Sequence, residues 1–171
     1  MPDFLKPLYI FWKKDNICIC ICIINNYKEQ NRDRLYQKIA PIYAELNQNH
    51  QITHFYFTNT NQTNFLRVHQ PDRFGDSINR QTMLQAVKTG KPAWGLEIGP
   101  LGTYTSRLVS PLHQQGHRGG ELIGYMELGM EIEHALNNLA NELKVELVVL
   151  MSKHAIKKEL WQQGMKRLQR N

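Results

Sequence analysis

Cysteine is scarce in this chain and confined to one place: three residues, Cys18, Cys20 and Cys22, all inside the run ICICICII. Positions two apart on one strand are poorly placed for a strain-free disulfide, and no other cysteine exists to pair with them. Neither a CxxC zinc knuckle nor a CxxCH haem site occurs. Long apolar runs are missing too. FLKPLYIFW and ICICICII are apolar, but KKDN separates them and Pro7 interrupts the first. Neither reaches the roughly eighteen residues that a spanning helix needs. A signal peptide would want a charged start, one continuous apolar stretch and a small-residue cleavage site, and these are absent. Residues 1–26 are therefore expected to be an apolar leader, as an extra strand or a disordered segment, or else a degraded membrane anchor.

The signatures of catalysis are equally sparse. The chain has no GxSxG elbow, no Walker loop and no HExxH pair, so the common hydrolase, nucleotide and zinc-protease chemistries have no foothold. GHRGGELIG contains glycines, but not in GxGxxG order after a strand. Among the seven histidines, His113 and His117 stand four apart in HQQGH. On a helix that spacing would converge on a metal, but in a glycine-rich loop it fixes no geometry. The expectation is a protein that is not an enzyme, with no metal and no cofactor.

What is present fits a folded protein: 171 residues, 42% hydrophobic and 21% charged. The formal charge is +6. The basic residues are scattered, apart from a cationic tail in KHAIKKELWQQGMKRLQR, and no basic stripe is interleaved with aromatics. Nucleic acid is therefore not an expected partner.

Between Tyr27 and Asn49, Leu35, Ile39, Ile42 and Leu46 recur at helical steps, one apolar stripe with a possible kink at Pro41. QITHFYFT and NFLRVH read as a hairpin across the turn NTNQT. A helix is predicted from Ser77, capped by Asp76 or Ser77 and ended by Gly90 in TGKP. AWGLEIG, TYTSRLVSPL and ELIGYMELG read as three more strands. MEIEHALNNLANEL is predicted as a helix, VELVVLM as a buried strand, and the basic tail as an amphipathic helix. This order predicts an α+β fold with a five-stranded antiparallel sheet, a long N-terminal helix and a C-terminal helix-strand-helix extension. The apolar stripe would cover one face of the sheet, or alternatively pair two copies in a homodimer.

The run FLRVHQPDRFGD sets the functional question. Alternation places Phe65, Arg67 and His69 on one face of a strand and Leu66 and Val68 on the other. The same reading places Arg107 with Thr103, Thr105 and Val109, Tyr125 and Glu127 with Ile123, and Glu97 with Gly95. Gathered on one side, these polar groups are either a solvated face or the floor of a small site sheltered by the QPDRFGD loop. In such a site Arg67 would hold a carboxylate in a bidentate fork, with Arg107 as a further donor. Glu97 and Glu127 would either contact a ligand or pair with those arginines.

FLRVHQPDRFGDSINRQT, GLEIGPLGTYTSRLVSPL and GELIGYMELG, in that order, resemble the Cache-type sensory domains of bacterial chemotaxis receptors, sensor histidine kinases and diguanylate cyclases, the double-sensory variant above all. The resemblance spans Tyr27 to Trp161. It implies a PAS-like fold and an extracytoplasmic sensor of a small ligand, a carboxylate or other anion. Arg67, His69, Asp76, Arg80, Glu97, Arg107 and Glu127 fall on the family's motif positions, and Tyr125 shares their face. The domain expected is 27–129, with 130–171 as the start of a second lobe. The transmembrane helix and output domain of the family have no counterpart in the chain, so the alternative is an interaction module, or a fragment of a membrane receptor, with no ligand of its own.

Overall fold

In the computed structural model, the structure describes residues 24–99, 103–114, 120–148, 150, 152 and 158–167. The apolar runs before residue 24 and the loop holding His117 lie outside these residues. The long helix α1 is Arg32–His50, preceded by a short helical stretch over residues 24–28. Asn31 caps α1, its side chain accepting from the Arg34 amide at 2.9 Å, and Asp33 sits favourably in the first turn. The helix runs on through Pro41 and stops where Gln51 turns left-handed, φ 56°. Its buried residues are Leu35, Ile39 and Leu46, which belong to the stripe seen in the sequence.

Strands β1 (His54–Asn59), β2 (Asn64–Arg67), β3 (Ala93–Ile98), β4 (Tyr104–His113) and β5 (Leu122–Glu131) form one sheet in the order β2-β1-β5-β4-β3. The helix α2, Gln81–Thr89, falls between β2 and β3, and α3 (Glu133–Leu143) and α4 (Lys158–Arg167) follow β5. The fold is thus a five-stranded antiparallel sheet of PAS-like type with a long N-terminal helix and short C-terminal helices. The chain divides into two compact units, one of residues 1–95 and 107–130, the other of 96–106 and 131–171.

Within the first unit, strand alternation sorts the side chains onto two faces. Phe55, Phe57, Leu66, Val68, Met126 and Leu128 meet Leu35, Ile39 and Leu46 of α1 in the main core. That core takes up Leu35, Ile39 and Leu46 of the stripe. On the opposite face Tyr125 and Val109 pack with Ile78, Met83, Ala86 and Ala93 under α2. Both faces are therefore covered, and what lies beneath α2 is shielded from water.

Two expectations are corrected. The helix α2 begins at Gln81 with Arg80 as its N-cap, not at Asp76 or Ser77. Those two residues are engaged elsewhere: Ser77 bridges Thr63, and the Asp76 carboxylate is held by Arg67. The C-terminal end is as read, Gly90 adopting φ 62° and donating to Ala86. VELVVLM is the second correction. Residues 145–148 form no strand, and Val148 and Leu150 are 78% and 87% exposed. A strand needs a neighbour for its backbone groups, and here the Val145 amide donates to Ala140 in the end of α3.

Gly124 marks a tight approach in the first unit. A Cβ there would meet the Tyr27 hydroxyl and come within 2.6 Å of the Thr58 carbonyl. The Tyr27 hydroxyl is itself fixed by donating to Asn59 Oδ1 at 2.8 Å. Gly124→Ala should therefore cost about 1–3 kcal/mol by overpacking, lowering the thermal midpoint by roughly 3–10 °C. An unchanged midpoint in a calorimetric scan would refute the close approach.

Candidate functional site

A row of polar side chains crosses the α2 side of the sheet. Register pairs Arg67 of β2 with Tyr56 of β1, and Tyr56 with Glu127 of β5. Arg107 of β4 completes the row, its Nη1 donating to Glu127 Oε1 at 2.5 Å. The Glu127 carboxylate is fully buried and the Arg107 side chain is 3% exposed. A carboxylate in such a place requires a cationic partner, because an unpaired buried charge loses its hydration with nothing to replace it.

Glu127 receives a second guanidinium. Arg80, at the entry to α2, directs Nη2 at both carboxylate oxygens, at 2.6 and 2.7 Å. Its guanidinium lies 4.9 Å from the centre of the Tyr56 ring, and that of Arg67 lies 5.4 Å from it, so one phenol serves as a cation–π platform for both. Of the two cations on Glu127, Arg80 is the more accessible, with 22% of its side chain exposed.

The loop between β2 and α2 is fastened at several points. Arg67 forks onto Asp76, Nη1 to Oδ1 at 2.7 Å and Nη2 to Oδ2 at 2.5 Å, and Nη1 also donates to the Arg73 carbonyl at 2.7 Å. Gly75, at φ 85°, turns the chain back so that its amide reaches Asn64 O at 2.8 Å. The Asn64 amide donates to Asp76 O at 2.8 Å, and the Ile78 amide to Gln62 O at 2.9 Å. At the tip, Phe74 lies under the guanidinium of Arg32, 3.5 Å from its ring centre, tying the loop to the first turn of α1.

His69 is placed differently from the alternation argument. Strand β2 ends at Arg67, and His69 instead turns its ring toward β1, Nδ1 accepting from the Phe55 amide at 3.2 Å. Its ring meets Tyr56 and His54 edge-on, each at 4.9 Å. Burial, with the charges of Arg67 and Arg107, holds its pKa down to about 4. Tyr125 packs in the apolar cluster under α2, where burial raises its hydroxyl pKa. Glu97 is half-buried on β3, in the second unit. The structure thus gathers Arg67, Asp76, Arg80, Arg107 and Glu127 into two linked ion clusters around Tyr56. It sets His69 against their rim. Tyr56 and Asn64 were not singled out from the sequence, although the alternation of His54, Tyr56 and Thr58 against Phe55 and Phe57 already put Tyr56 on the polar face. Among the described residues no cluster of acidic, histidine or cysteine side chains is arranged to hold a metal.

A sheet with a long helix on one face, and a charged row beneath a fastened loop and helix on the other, is the architecture of a PAS-like sensory domain. Sequence comparison makes this specific: residues 23–170 match the double-Cache family described as the double sensory domain of two-component sensor kinase, and the chain belongs to that family. Solved structures share the fold at low identity. The E. coli DcuS sensor domain superposes with a TM-score of 0.50 and 16% identity, over 66% of this chain and 82% of that one. A domain of a sensory box/GGDEF family protein from Vibrio parahaemolyticus gives 0.54 and 13%, over 80% of this chain and 56% of its own. The extracellular domain of the histidine kinase vpHK1S-Z8 gives 0.50 and 15%, over 69% and 47%. The chain therefore spans about half the length of these last two. No curated protein matches it.

The two perturbed groups predict separate acid transitions. His69 keeps a pKa near 4 when folded, below its ordinary 6.5, so the unfolded chain binds the proton first. Stability should fall as the pH drops from about 7 to 4, by no more than on the order of 3 kcal/mol, and His69→Asn should flatten that slope. The hydrogen bonds from Arg67 hold Asp76 at about 2, below its ordinary 3.8. Its contribution is present above pH 4 and lost as the pH falls toward 2. Because Asp76 is 44% exposed, solvent screening reduces it to about 1 kcal/mol. Urea midpoints across pH 2–8 for the wild type, His69→Asn and Asp76→Asn would separate the windows, and superimposable curves would refute both assignments.

Proposed function

We propose that this chain is a non-enzymatic, extracytoplasmic sensory domain that binds a small anion, most simply a carboxylate, on the α2 side of its sheet. The observation that carries the reading is the buried Glu127 carboxylate shared by Arg80 and Arg107, in one row with Tyr56 and Arg67. Buried ion clusters are a poor way to stabilise a fold, since well-packed apolar residues do as well or better. Their concentration under a loop-and-helix cover is the pattern of a binding site with convergent polar groups. Guanidinium groups supply the planar double donor that suits a carboxylate. The family description as a sensory domain of two-component kinases supports signal transduction as the setting, and the extracellular description of the vpHK1S-Z8 domain supports the location.

Asp76 already fills the Arg67 fork, so Arg67 acts in this reading as the fastening of the loop. Arg80 is the residue assigned to the ligand, with Tyr56 as its platform, and Arg107 holds Glu127 in place beside it. His69, Tyr125 and Glu127 shape the site, and Glu97 belongs to this reading through the family motif alone.

A ligand bound only by the folded state stabilises it by about 2.7 kcal/mol at a hundredfold excess over Kd, which for a domain of this size is a midpoint shift of about 5–11 °C. A thermal-shift screen of C2–C6 carboxylates and amino acids should yield at least one compound with such a shift. Arg107→Ala and Arg80→Ala, checked for native circular dichroism, should lose most of it, while Lys38→Ala on the exposed side of α1 should keep it. A screen without a responder, or full shifts in both arginine variants, would refute the reading.

A further inference from the structure

The two cations on Glu127 are not equivalent, and the difference identifies which of them a ligand can take. Arg107 projects from the middle of β4, is 3% exposed, and bonds a carboxylate with no exposed surface at all. If Arg107 moved away, it would need a new buried counter-ion, at a cost of several kcal/mol. Arg80 stands at the other extreme. Its backbone lies two residues beyond Ile78, the last point at which the loop is hydrogen-bonded to the sheet edge, and its side chain is 22% exposed. If Arg80 leaves, Glu127 keeps Arg107.

Arg80 is also the N-cap of α2, and its side chain makes no capping hydrogen bond there. The first amides of a helix carry partial positive charge and point outward from its start. An anion that draws Arg80 outward therefore meets a second favourable feature at the same place.

We infer that Glu127 is an internal competitor for Arg80, a carboxylate of the protein that occupies the guanidinium until a ligand carboxylate takes it over at the N-terminus of α2. This deepens the anion-binding reading and rests on it. Arg107 stays on Glu127 throughout, Arg80 exchanges one carboxylate for another, and the Tyr56 ring offers its face to the guanidinium in either position. Apparent affinity is then reduced by the fraction of time Arg80 spends on Glu127.

The test measures thermal midpoints of the full chain in rising sodium acetate against sodium chloride of equal ionic strength, and then in whichever carboxylate shifts the wild type most. Glu127→Gln removes the competing charge at nearly constant volume. It should reach its half-maximal shift at roughly a tenth of the wild-type concentration, or less. Arg80→Gln should need more than about ten times the wild-type concentration, or fail to respond. Hydrogen exchange gives a readout that needs no ligand: amides 79–83 should exchange faster in Glu127→Gln than in the wild type, and slow again on addition of the carboxylate. A wild-type response with Arg80→Gln responding equally would overturn the exchange of partners and leave the anion-binding reading standing. So would a natively folded Glu127→Gln with unchanged affinity. If Glu127→Gln does not fold, Arg80→Gln decides alone. A wild type that responds to no carboxylate overturns both.

Discussion

A carboxylate cannot be taken out of water inside a protein unless something replaces the solvation it loses, and Glu127 is out of water completely. Its position opposite Tyr56 in the centre of the sheet means the replacement must come from the adjacent strand and from above. Arg107 supplies the first and Arg80 the second. From this one requirement much of the local design follows. The segment before α2 must approach β5 closely enough for Arg80 to reach, and the side chain between Arg80 and Arg67 must tolerate two cations, which an aromatic ring does. The remaining area under α2 is filled with small and apolar residues such as Ala86, Ala93 and Val109.

The loop before α2 is held by the same kind of interaction used for a different purpose. Arg67 spends its whole fork inside the chain, on Asp76 and on the Arg73 carbonyl. The chain from Arg67 to Asp76 is thereby closed into a loop, its two ends nine positions apart. Phe74 carries the connection outward to Arg32, so the loop spans from the polar row to the start of the long helix. This contact gives the α2 side of the sheet a physical link to the helix side.

Much of this was legible in the sequence wherever the determinants were local. The steps between Leu35, Ile39 and Leu46 marked the covered face of α1, the alternation in FLRVH separated Leu66 and Val68 from Arg67, and Gly90 marked the end of α2. What escaped was set at long range. Nothing near Asp76 indicates that its carboxylate belongs to Arg67, so an acidic residue before a helix was read as a cap. One partner of Arg80, Glu127, stands 47 residues away, and no spacing rule could have placed it there. Alternation carried His69 into line with Arg67 because the pattern continues past the last paired residue, while the strand itself does not. VELVVLM shows the same limit from the other direction, since a run of β-branched and leucine residues becomes a strand only beside another strand.

The return of the loop alongside β2 also settles what can join the sheet. Through Asn64, Gly75, Ile78 and the Thr63–Ser77 bridge, the chain pairs its own backbone with the outer margin of the first residues of β2. A bare strand margin is a template for a strand from another molecule, and here the template is already occupied at its entrance. The residues that shape the charged row thus act as a guard against self-association through that margin.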